Sequence, residues 1–449
     1  MYHALQHQLK ANDMTAAATS TSFALSSRAM RTGDQPIGFL ITTALANPHV
    51  ISLAAGLVDY ETLPCPETRA LMAELLTDDA TGRARLNYGT TLGLPALRQS
   101  LLKHLARLDR QSTEEFNASA DQIVVTNGSQ QLLALLTEAL VDPGDIVITA
   151  WPSYFVYTGV LVTAGADVRC VDIDDQGMVP EELDKLLEQI ERAGQLHRVK
   201  IVYIVSYHDN PTGVTLSEAR RPEILRIVKR YSREHRILLL EDAAYRELTF
   251  EGEPPRSIRR SESSEERDDQ QVALLQTFSK PFAPGFKVGY GLLPRELVEK
   301  VGLLKDNLDF GTANLSQHLV LRAMTSGLYE KHVAMLRRRY HEKATCMLEA
   351  ICEHLGNYCP AETHWTRPRG GLYVWLTLPE RIDTTRTGPL FTAAVREGVL
   401  YVPGSYCYGP DPTRKTPKNT IRLSFGTATL DHIREGVERL GKAIRQIDC

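Results

Sequence analysis

The sequence lacks long apolar segments, and it lacks any cysteine or histidine spacing typical of a metal site. No stretch of the 449 residues approaches the roughly 18 apolar residues of a membrane-spanning helix, and residues 1–23 contain no apolar core typical of a secretory signal. The seven cysteines form no CxxC motif, and their odd number rules out complete pairing. We therefore expect a protein of the reducing cytoplasm, with no metal site, no membrane segment and no export signal.

An excess of basic residues is also missing. The formal net charge is −4 and the pI is about 6.4, so the chain has no evident electrostatic attraction for nucleic acid or anionic lipid. With 43% hydrophobic and 24% charged residues, the composition is typical of a globular protein. Small-molecule chemistry is the better expectation, and the chain is long enough for two domains.

Apolar strand-like runs alternate with helix-period segments from about residue 120 to 295. The runs are QIVVT, DIVIT, VKIVYIV, RILLLED, VALLQTF and VGYGLL. This alternation predicts an α/β fold with a mostly parallel sheet between helices. The charged stretch 251–271 is poor in apolar residues, so we expect a solvated surface excursion there.

The pattern changes in the last third of the chain. A long helical pattern follows Gly327 and extends to about Leu355, and the remainder indicates a smaller α+β domain. The expected division is an N-terminal arm that packs on the small domain, a large domain and a small C-terminal domain. Their bounds are 1–60, 61–325 and 326–449.

The segment VVTNGSQQLLALLTEAL indicates a strand, a turn at Gly128 and an amphipathic helix that opens at Ser129 and Gln130. The first N–H groups of such a helix are unpaired and lie at the positive end of its dipole, which suits a phosphate. Taken alone, the segment is explained better by an ordinary helix start.

Three further strand ends carry polar or aromatic side chains. Tyr154 can stack on a planar ligand or pack in the core. Asn210, in an Asn-Pro-Thr-Gly turn, can donate to a phenolate or simply shape the turn. Asp242 ends the RILLLED run, with Tyr245 three residues on. A carboxylate buried there needs a cation or hydrogen-bond donors, although capping the following helix explains it equally well.

The most informative stretch is LLQTFSKPFAPGFKVGYG. Lys280 lies just beyond a buried strand and is followed by Pro281, Pro284 and Gly285, so no helix can form there and the amine stays at the edge of the sheet. Thr277, Ser279 and Lys287 add two hydroxyls and a second cation, a set suited to a phosphate. A lone loop lysine is usually a solvated charge, but these neighbours favour a functional amine.

These strand ends are expected to meet at one place. In a doubly wound sheet, ligands bind in the crevice outside the carboxyl ends of the strands. Five separate strands end at the residues described above. The sequence therefore predicts a single binding crevice there.

At this point the sequence resembles the class I/II aminotransferases, the fold-type-I enzymes that use pyridoxal phosphate. The matching motifs span residues 51 to 426 in the order ISLAAGL, NYGTTLGLPALRQSL, TNGSQQ, WPSYF, DNPTG, EDAAY, TFSKPFAPGFKVGY, PGSYCY and NTIRLSFG. The resemblance implies a large α/β domain that binds the cofactor and a smaller C-terminal α+β domain.

The resemblance also implies a role for each residue that contacts the cofactor ring. Lys280 carries the cofactor as a Schiff base, and Asp242 pairs with the pyridinium nitrogen, so that the ring accepts electrons from the substrate Cα. Asn210 and Tyr245 hydrogen-bond the phenolic oxygen of the ring. Tyr154 stacks on the ring, and it completes the implied catalytic set with Lys280 and Asp242.

The resemblance also implies which groups hold the phosphate of the cofactor. Its members within one chain are the amides of Ser129 and Gln130, the hydroxyls of Thr277 and Ser279, and the amine of Lys287. Most relatives have arginine at the position of Lys287; lysine keeps the charge but loses the planar fork. Tyr88 matches a tyrosine that reaches the cofactor phosphate of the neighbouring subunit, which implies a homodimer with shared active sites.

The substrate site is implied at two further places. Arg422 matches the arginine that binds the substrate α-carboxylate in a bidentate pair, and the resemblance also implies that Asn210 contributes to substrate binding. Gly56 lies on the N-terminal segment that closes over the substrate, although VDYE after Leu57 differs from the usual proline-bearing sequence.

The implied reaction is transfer of an α-amino group from an amino acid to a 2-oxo acid by a ping-pong mechanism, with Lys280 as the proton carrier. The motifs look most like the branch that contains aminoadipate, kynurenine and aromatic aminotransferases. A lyase, cyclase or oxidase on the same scaffold remains an alternative. A ligand-sensing domain of a DNA-binding regulator is disfavoured, because no basic recognition helix is evident before the match.

Overall fold

The computed structural model of the chain describes residues 23–33, 36–262 and 270–448. Residues 1–22, part of the charged stretch 251–271 and Cys449 lie outside these ranges. In chain order the strands are β1 (Ile51–Ser52), β2 (Ile123–Asn127), β3 (Ile146–Trp151), β4 (Asp167–Asp174), β5 (Gly177–Met178), β6 (Val199–Val205), β7 (Leu238–Asp242), β8 (Val272–Thr277), β9 (Val288–Leu292), β10 (His364–Trp365), β11 (Tyr373–Thr377), β12 (Val399–Leu400), β13 (Val402–Pro403) and β14 (Thr420–Ser424).

The α-helices pack around these strands. In chain order they are α1 (Ser27–Arg31), α2 (Pro36–Ala46), α3 (Cys65–Leu75), α4 (Asp79–Leu86), α5 (Pro95–Leu108), α6 (Ser129–Leu140), α7 (Phe155–Ala164), α8 (Pro180–Arg192), α9 (Arg220–Tyr231), α10 (Arg295–Asp309), α11 (Asn314–Thr325), α12 (Leu328–Leu355), α13 (Pro389–Glu397) and α14 (Leu430–Ile447).

Within the described residues, the larger sheet has eight strands in the order β2-β9-β8-β7-β6-β3-β4-β5. Strands β8, β7, β6, β3 and β4 pair in parallel, whereas β9 and β5 run antiparallel to their neighbours. The predicted mostly parallel sheet is confirmed.

The inner strands of the large sheet, such as β6, are mainly apolar because helices cover both faces of the sheet. In β6, Val202 and Ile204 pack into the core on one face, and Ile201, Tyr203 and Val205 pack into the core on the other. A strand with only one buried face would show polar residues at every second position. The continuous apolar runs therefore follow from the layered architecture.

The C-terminal part forms the second, smaller sheet, in the order β10-β11-β14-β13 with antiparallel pairs. The N-terminal segment packs on this part of the chain, because β1 and β12 form a separate two-stranded parallel sheet and Ile51 and Leu53 belong to the core of the smaller sheet. Helix α12 contributes Tyr329 to a core of the large sheet and Leu336 to the core of the small sheet. The domain division at residues 60 and 325 stays a prediction.

The expected solvated excursion over 251–271 is wrong for the middle of its described part. Ser257, Ile258 and Arg259 are almost fully buried, at 2%, 0% and 3% exposure. The Ile258 N–H donates to the buried Glu241 carboxylate at 2.8 Å, and Arg259 pairs with Glu262 at 2.7 Å. Charged residues can be buried here because they form ion pairs and hydrogen bonds with other buried groups. The composition of the segment does not show these pairings.

In the ranges that the structure describes, no helix is long and apolar enough to cross a membrane. The same ranges contain no cluster of three or more histidine, cysteine or acidic side chains that could hold a metal ion. The described cysteines are all free.

Candidate active site

The predicted strand ends meet at the carboxyl edge of the large sheet. Helix α6 begins two residues after β2, Asp242 is the last residue of β7, and Lys280 lies three residues after β8. Two further elements complete the crevice. Strand β14 of the smaller domain carries Arg422, and the loop after β1 in the N-terminal segment carries Gly56.

The Lys280 amine lies inside this crevice. Its Nζ donates to the Gly56 carbonyl at 2.8 Å and lies 5.9 Å from the centre of the Tyr245 ring. The amine is thus held by a neutral oxygen rather than a carboxylate, and it is partly buried. An amine placed in this way is available to condense with an aldehyde.

Asp242 is the acid of the crevice and is only 4% exposed. Burial raises its pKa to about 6, although hydrogen bonds from the Ala244 N–H and the Tyr203 hydroxyl, both at 3.0 Å, oppose the rise. No cation among the described residues forms an ion pair with this carboxylate. A protonated ring nitrogen beside it would favour the ionised carboxylate.

Tyr203 is a site residue that the sequence analysis missed. Its hydroxyl donates to Asp242 Oδ2, and its ring packs 4.4 Å from the Tyr157 ring. The Tyr157 hydroxyl lies 3.1 Å from Thr137 Oγ1. Burial raises the pKa of Tyr203 well above its ordinary value, so the phenol remains a donor to Asp242. The available signal was a tyrosine hydroxyl among the aliphatic residues of IVYIV, the apolar part of the run VKIVYIV.

The start of α6 forms an anion cradle. Gly128 adopts a left-handed backbone (φ 73°), which turns the chain into the helix at Ser129. Gly289 in β9 packs so closely that a Cβ there would collide with the Ser129 nitrogen. Gln130 Oε1 is buried with no hydrogen-bond partner among the described residues. The unpaired helix N–H groups suit a phosphate.

The hydroxyls predicted for this cradle lie beside each other. Thr277 Oγ1 donates to Ser279 Oγ at 3.0 Å and accepts from the Ser279 N–H at 3.1 Å. Lys287 is exposed, in a left-handed conformation (φ 53°), and its side chain forms no hydrogen bond or ion pair with another described residue. Its charge is therefore free to meet an anion.

Arg422 is buried at 3% exposure, on β14. It donates through one terminal nitrogen to Asn210 Oδ1 at 2.8 Å and through the other to the Ala54 carbonyl at 2.9 Å. Its Nε is buried and has no partner among the described residues. A buried guanidinium with an unpaired N–H and no carboxylate partner suits an anionic ligand.

Aromatic rings surround these polar groups. Tyr154 is partly buried, and burial together with nearby Tyr373 and Asp242 raises its pKa. The Tyr245 and Tyr373 hydroxyls lie 3.0 Å apart. Tyr373 was not predicted as a site residue.

Tyr88 is the predicted site residue that lies apart from this crevice. It is 84% exposed, and its ring packs 6.4 Å from that of Phe310, itself 67% exposed. Leu86 and Leu308 are exposed nearby in sequence, at 63% and 64%. Within the described part of its own chain, Tyr88 forms no hydrogen bond or ring contact with the other predicted site residues.

A mixed sheet with a lysine amine, a buried acid and an anion cradle at its carboxyl edge defines the fold-type-I class of pyridoxal-phosphate proteins. The sequence profile of class I and II aminotransferases matches residues 48–440. The chain therefore belongs to the class I and II aminotransferase family, which is dependent on pyridoxal phosphate.

Individual relatives agree with this assignment. An aromatic-amino-acid aminotransferase of Thermococcus litoralis is 33% identical over 397 residues, which is 88% of this chain and 88% of that protein. A 2-aminoadipate transaminase of Thermus thermophilus is 31% identical over 398 residues, 89% of this chain and 91% of the relative. The solved kynurenine aminotransferase of Pyrococcus horikoshii superposes with a TM-score of 0.83 at 31% identity, over 94% of this chain and 97% of that one.

Proposed function

We propose that the chain binds pyridoxal phosphate through Lys280 and transfers the α-amino group of an amino acid with a large side chain to a 2-oxo acid. The observation that carries this proposal is the meeting of the Lys280 amine, the buried Asp242 carboxylate and the open N-terminus of α6 at one edge of the sheet. When bound, the cofactor supplies an aldehyde for the amine and a ring that withdraws electrons from the substrate Cα.

Asp242 holds the proton on the ring nitrogen. Because this carboxylate is buried, its ionised form is costly until a cation stands beside it, and the ring nitrogen is that cation. The Ala244 N–H and the Tyr203 hydroxyl fix the orientation of the carboxylate from behind. Tyr154 stacks on the ring and limits its movement.

Asn210 and Tyr245 bind the phenolic oxygen of the ring. Arg422 donates to Asn210 Oδ1, which leaves the Asn210 Nδ2 group as a donor toward the ring. The same arginine binds the substrate α-carboxylate with its remaining N–H groups. Substrate and cofactor contacts are therefore joined through one hydrogen bond.

Ser129, Gln130, Thr277, Ser279 and Lys287 hold the phosphate. The helix N–H groups and the Ser279 hydroxyl donate to its oxygens, the Thr277 hydroxyl donates in turn to Ser279 Oγ, and Lys287 supplies the balancing charge. With the phosphate held at one end of the site and the ring at the other, the Lys280 amine would be the group that moves a proton at the substrate Cα.

Substrate size and assembly are inferred from the relatives and from the surface. The names of the relatives give aromatic amino acids, 2-aminoadipate and kynurenine as their substrates. We therefore infer an amino donor with a large side chain. The exposed apolar residues around Tyr88 suit a homodimer in which Tyr88 reaches the partner's phosphate. A cytoplasmic location remains the expectation.

A half-reaction tests the function. Cofactor-loaded protein is mixed with phenylalanine, kynurenine, 2-aminoadipate or aspartate, without any oxo acid, and its visible spectrum is recorded. We expect the band of the cofactor to disappear and one equivalent of 2-oxo acid to form per site, with a large-chain donor reacting faster than aspartate. Release of ammonia with an unchanged band would instead indicate a lyase and would refute amino transfer.

A further inference from the structure

Tyr373 lies where three parts of the active site meet. Its hydroxyl is 3.0 Å from that of Tyr245, and its ring centre is 4.5 Å from the Arg422 guanidinium. A Cβ on Gly56 would lie 2.5 Å from the same hydroxyl, so the loop that carries Gly56 rests against it. With 1% exposure, Tyr373 is enclosed by these three groups.

The hydroxyl pair has only two possible proton arrangements. Burial and the neighbouring Tyr373 raise the pKa of Tyr245 well above its ordinary value, so the Tyr245 phenol keeps its proton. If Tyr245 donates to Tyr373, it has no proton left for a ligand. If Tyr373 donates to Tyr245, the Tyr245 proton is free to point at the phenolic oxygen of the cofactor.

We propose that Tyr373 is a positioning residue that donates its hydroxyl proton to Tyr245 and so directs the Tyr245 proton at the cofactor; this inference rests on the proposed function. A hydrogen bond received by a hydroxyl polarises its own O–H bond and strengthens the bond that it donates. Tyr373 thereby strengthens the contact between Tyr245 and the ionised phenolic oxygen without touching the cofactor.

The ring of Tyr373 has a separate effect on Arg422. Strands β11 and β14 pair with Trp375 opposite Arg422, which places Tyr373 two residues along on the same face of the sheet. From there the electron-rich face of the ring supports the guanidinium from the side. The Tyr373 hydroxyl therefore acts on the cofactor oxygen through Tyr245, and the Tyr373 ring supports Arg422, which binds the substrate carboxylate.

The experiment follows the visible spectrum of the cofactor-loaded protein as the pH is changed. The phenolic oxygen shares the proton of the lysine–cofactor link, so a weaker donor to that oxygen raises the pH at which the link loses its proton. Tyr373→Phe is expected to shift this midpoint upward by about half a pH unit. In a Tyr245→Phe background the same substitution is expected to add no shift, because the relay has already been removed.

The Tyr373→Leu variant separates the ring from the hydroxyl. The probe is 3-phenylpropionate, which has a carboxylate and no amine, and its affinity is measured by the spectral change on binding. We expect Tyr373→Phe to bind it as the unsubstituted protein does. Tyr373→Leu is expected to bind it about three- to fivefold more weakly, through loss of the aromatic face beside Arg422.

The outcomes distinguish this inference from the proposed function. A normal visible band with no shift in Tyr373→Phe would overturn the inference and leave the function intact. An equal shift of the midpoint with and without the Tyr245→Phe substitution would also overturn it, because Tyr373 would then act by another route. If the unsubstituted protein forms no visible band at all, the proposed function fails and the inference fails with it.

Discussion

Replacing Asp242 by asparagine in the cofactor-free protein removes a buried charge whose cost depends on pH. Asparagine keeps the shape, can accept from the Ala244 N–H and can donate to the Tyr203 oxygen. The pKa of Asp242 rises from 3.8 to about 6 on folding because the carboxylate is desolvated. The folded state therefore binds the proton more tightly than the unfolded state does.

The sign and size of the effect follow from this difference. The free energy of unfolding falls as the pH rises from the unfolded pKa to the folded pKa, and it stays level above the folded pKa. Two pKa units at about 1.4 kcal/mol each give a total of about 3 kcal/mol. Of this total, about 1.4 kcal/mol lies between pH 5 and pH 8, because only the last unit falls within that interval.

Urea unfolding of the two cofactor-free proteins at pH 5 and pH 8, at equal protein concentration, measures this difference. We expect Asp242→Asn to gain about 1.4 kcal/mol over the unsubstituted protein on going from pH 5 to pH 8. Asp209, whose pKa burial raises to about 7, is present in both proteins, so its contribution largely cancels. If the free energy of unfolding depended on pH identically in the two proteins, the claim that Asp242 is a buried carboxylate without a compensating cation would be refuted.

Three further substitutions test other contacts. Gly56→Ala puts a methyl group 2.5 Å from the Tyr373 hydroxyl, so we expect weaker cofactor retention in dialysis, partly restored by adding Tyr373→Phe; no restoration would contradict the contact. Arg422→Lys loses the planar fork, and steady-state kinetics should show the KM for the amino donor raised about 30-fold, whereas an unchanged KM would exclude Arg422 as the carboxylate ligand. Lys287→Arg restores a two-pronged donor and should slow cofactor dissociation about fivefold; faster dissociation would show that Lys287 does not face the phosphate.

Most of the large sheet was predictable because its strands are apolar on both faces. Strand β4, with the sequence DVRCVDID, escaped prediction because its side chains alternate between buried and partly exposed positions near the edge of the sheet. The antiparallel direction of β9 was not predictable either. It depends on the tight turn at residues 284–286 and on pairing with both β2 and β8.

The site was predictable where a residue follows a strand end, and not where it depends on how strands or domains meet. Tyr203 reaches Asp242 only because β6 and β7 align Val205 with Asp242, which places Tyr203 two residues back on the same face. Tyr373 reaches Tyr245 only because the smaller domain docks against the larger one. The spacing of residues along the sequence gives neither the register of β6 against β7 nor the way in which the smaller domain packs on the larger one.

Borohydride reduction of the cofactor-loaded protein, followed by peptide mapping, tests the central proposal most directly. Reduction makes the bond between the lysine amine and the cofactor permanent. We predict one labelled peptide, with the cofactor attached to Lys280, and no label at that position in Lys280→Ala. A label on another lysine, or no label in a protein that shows the visible cofactor band, would contradict the account.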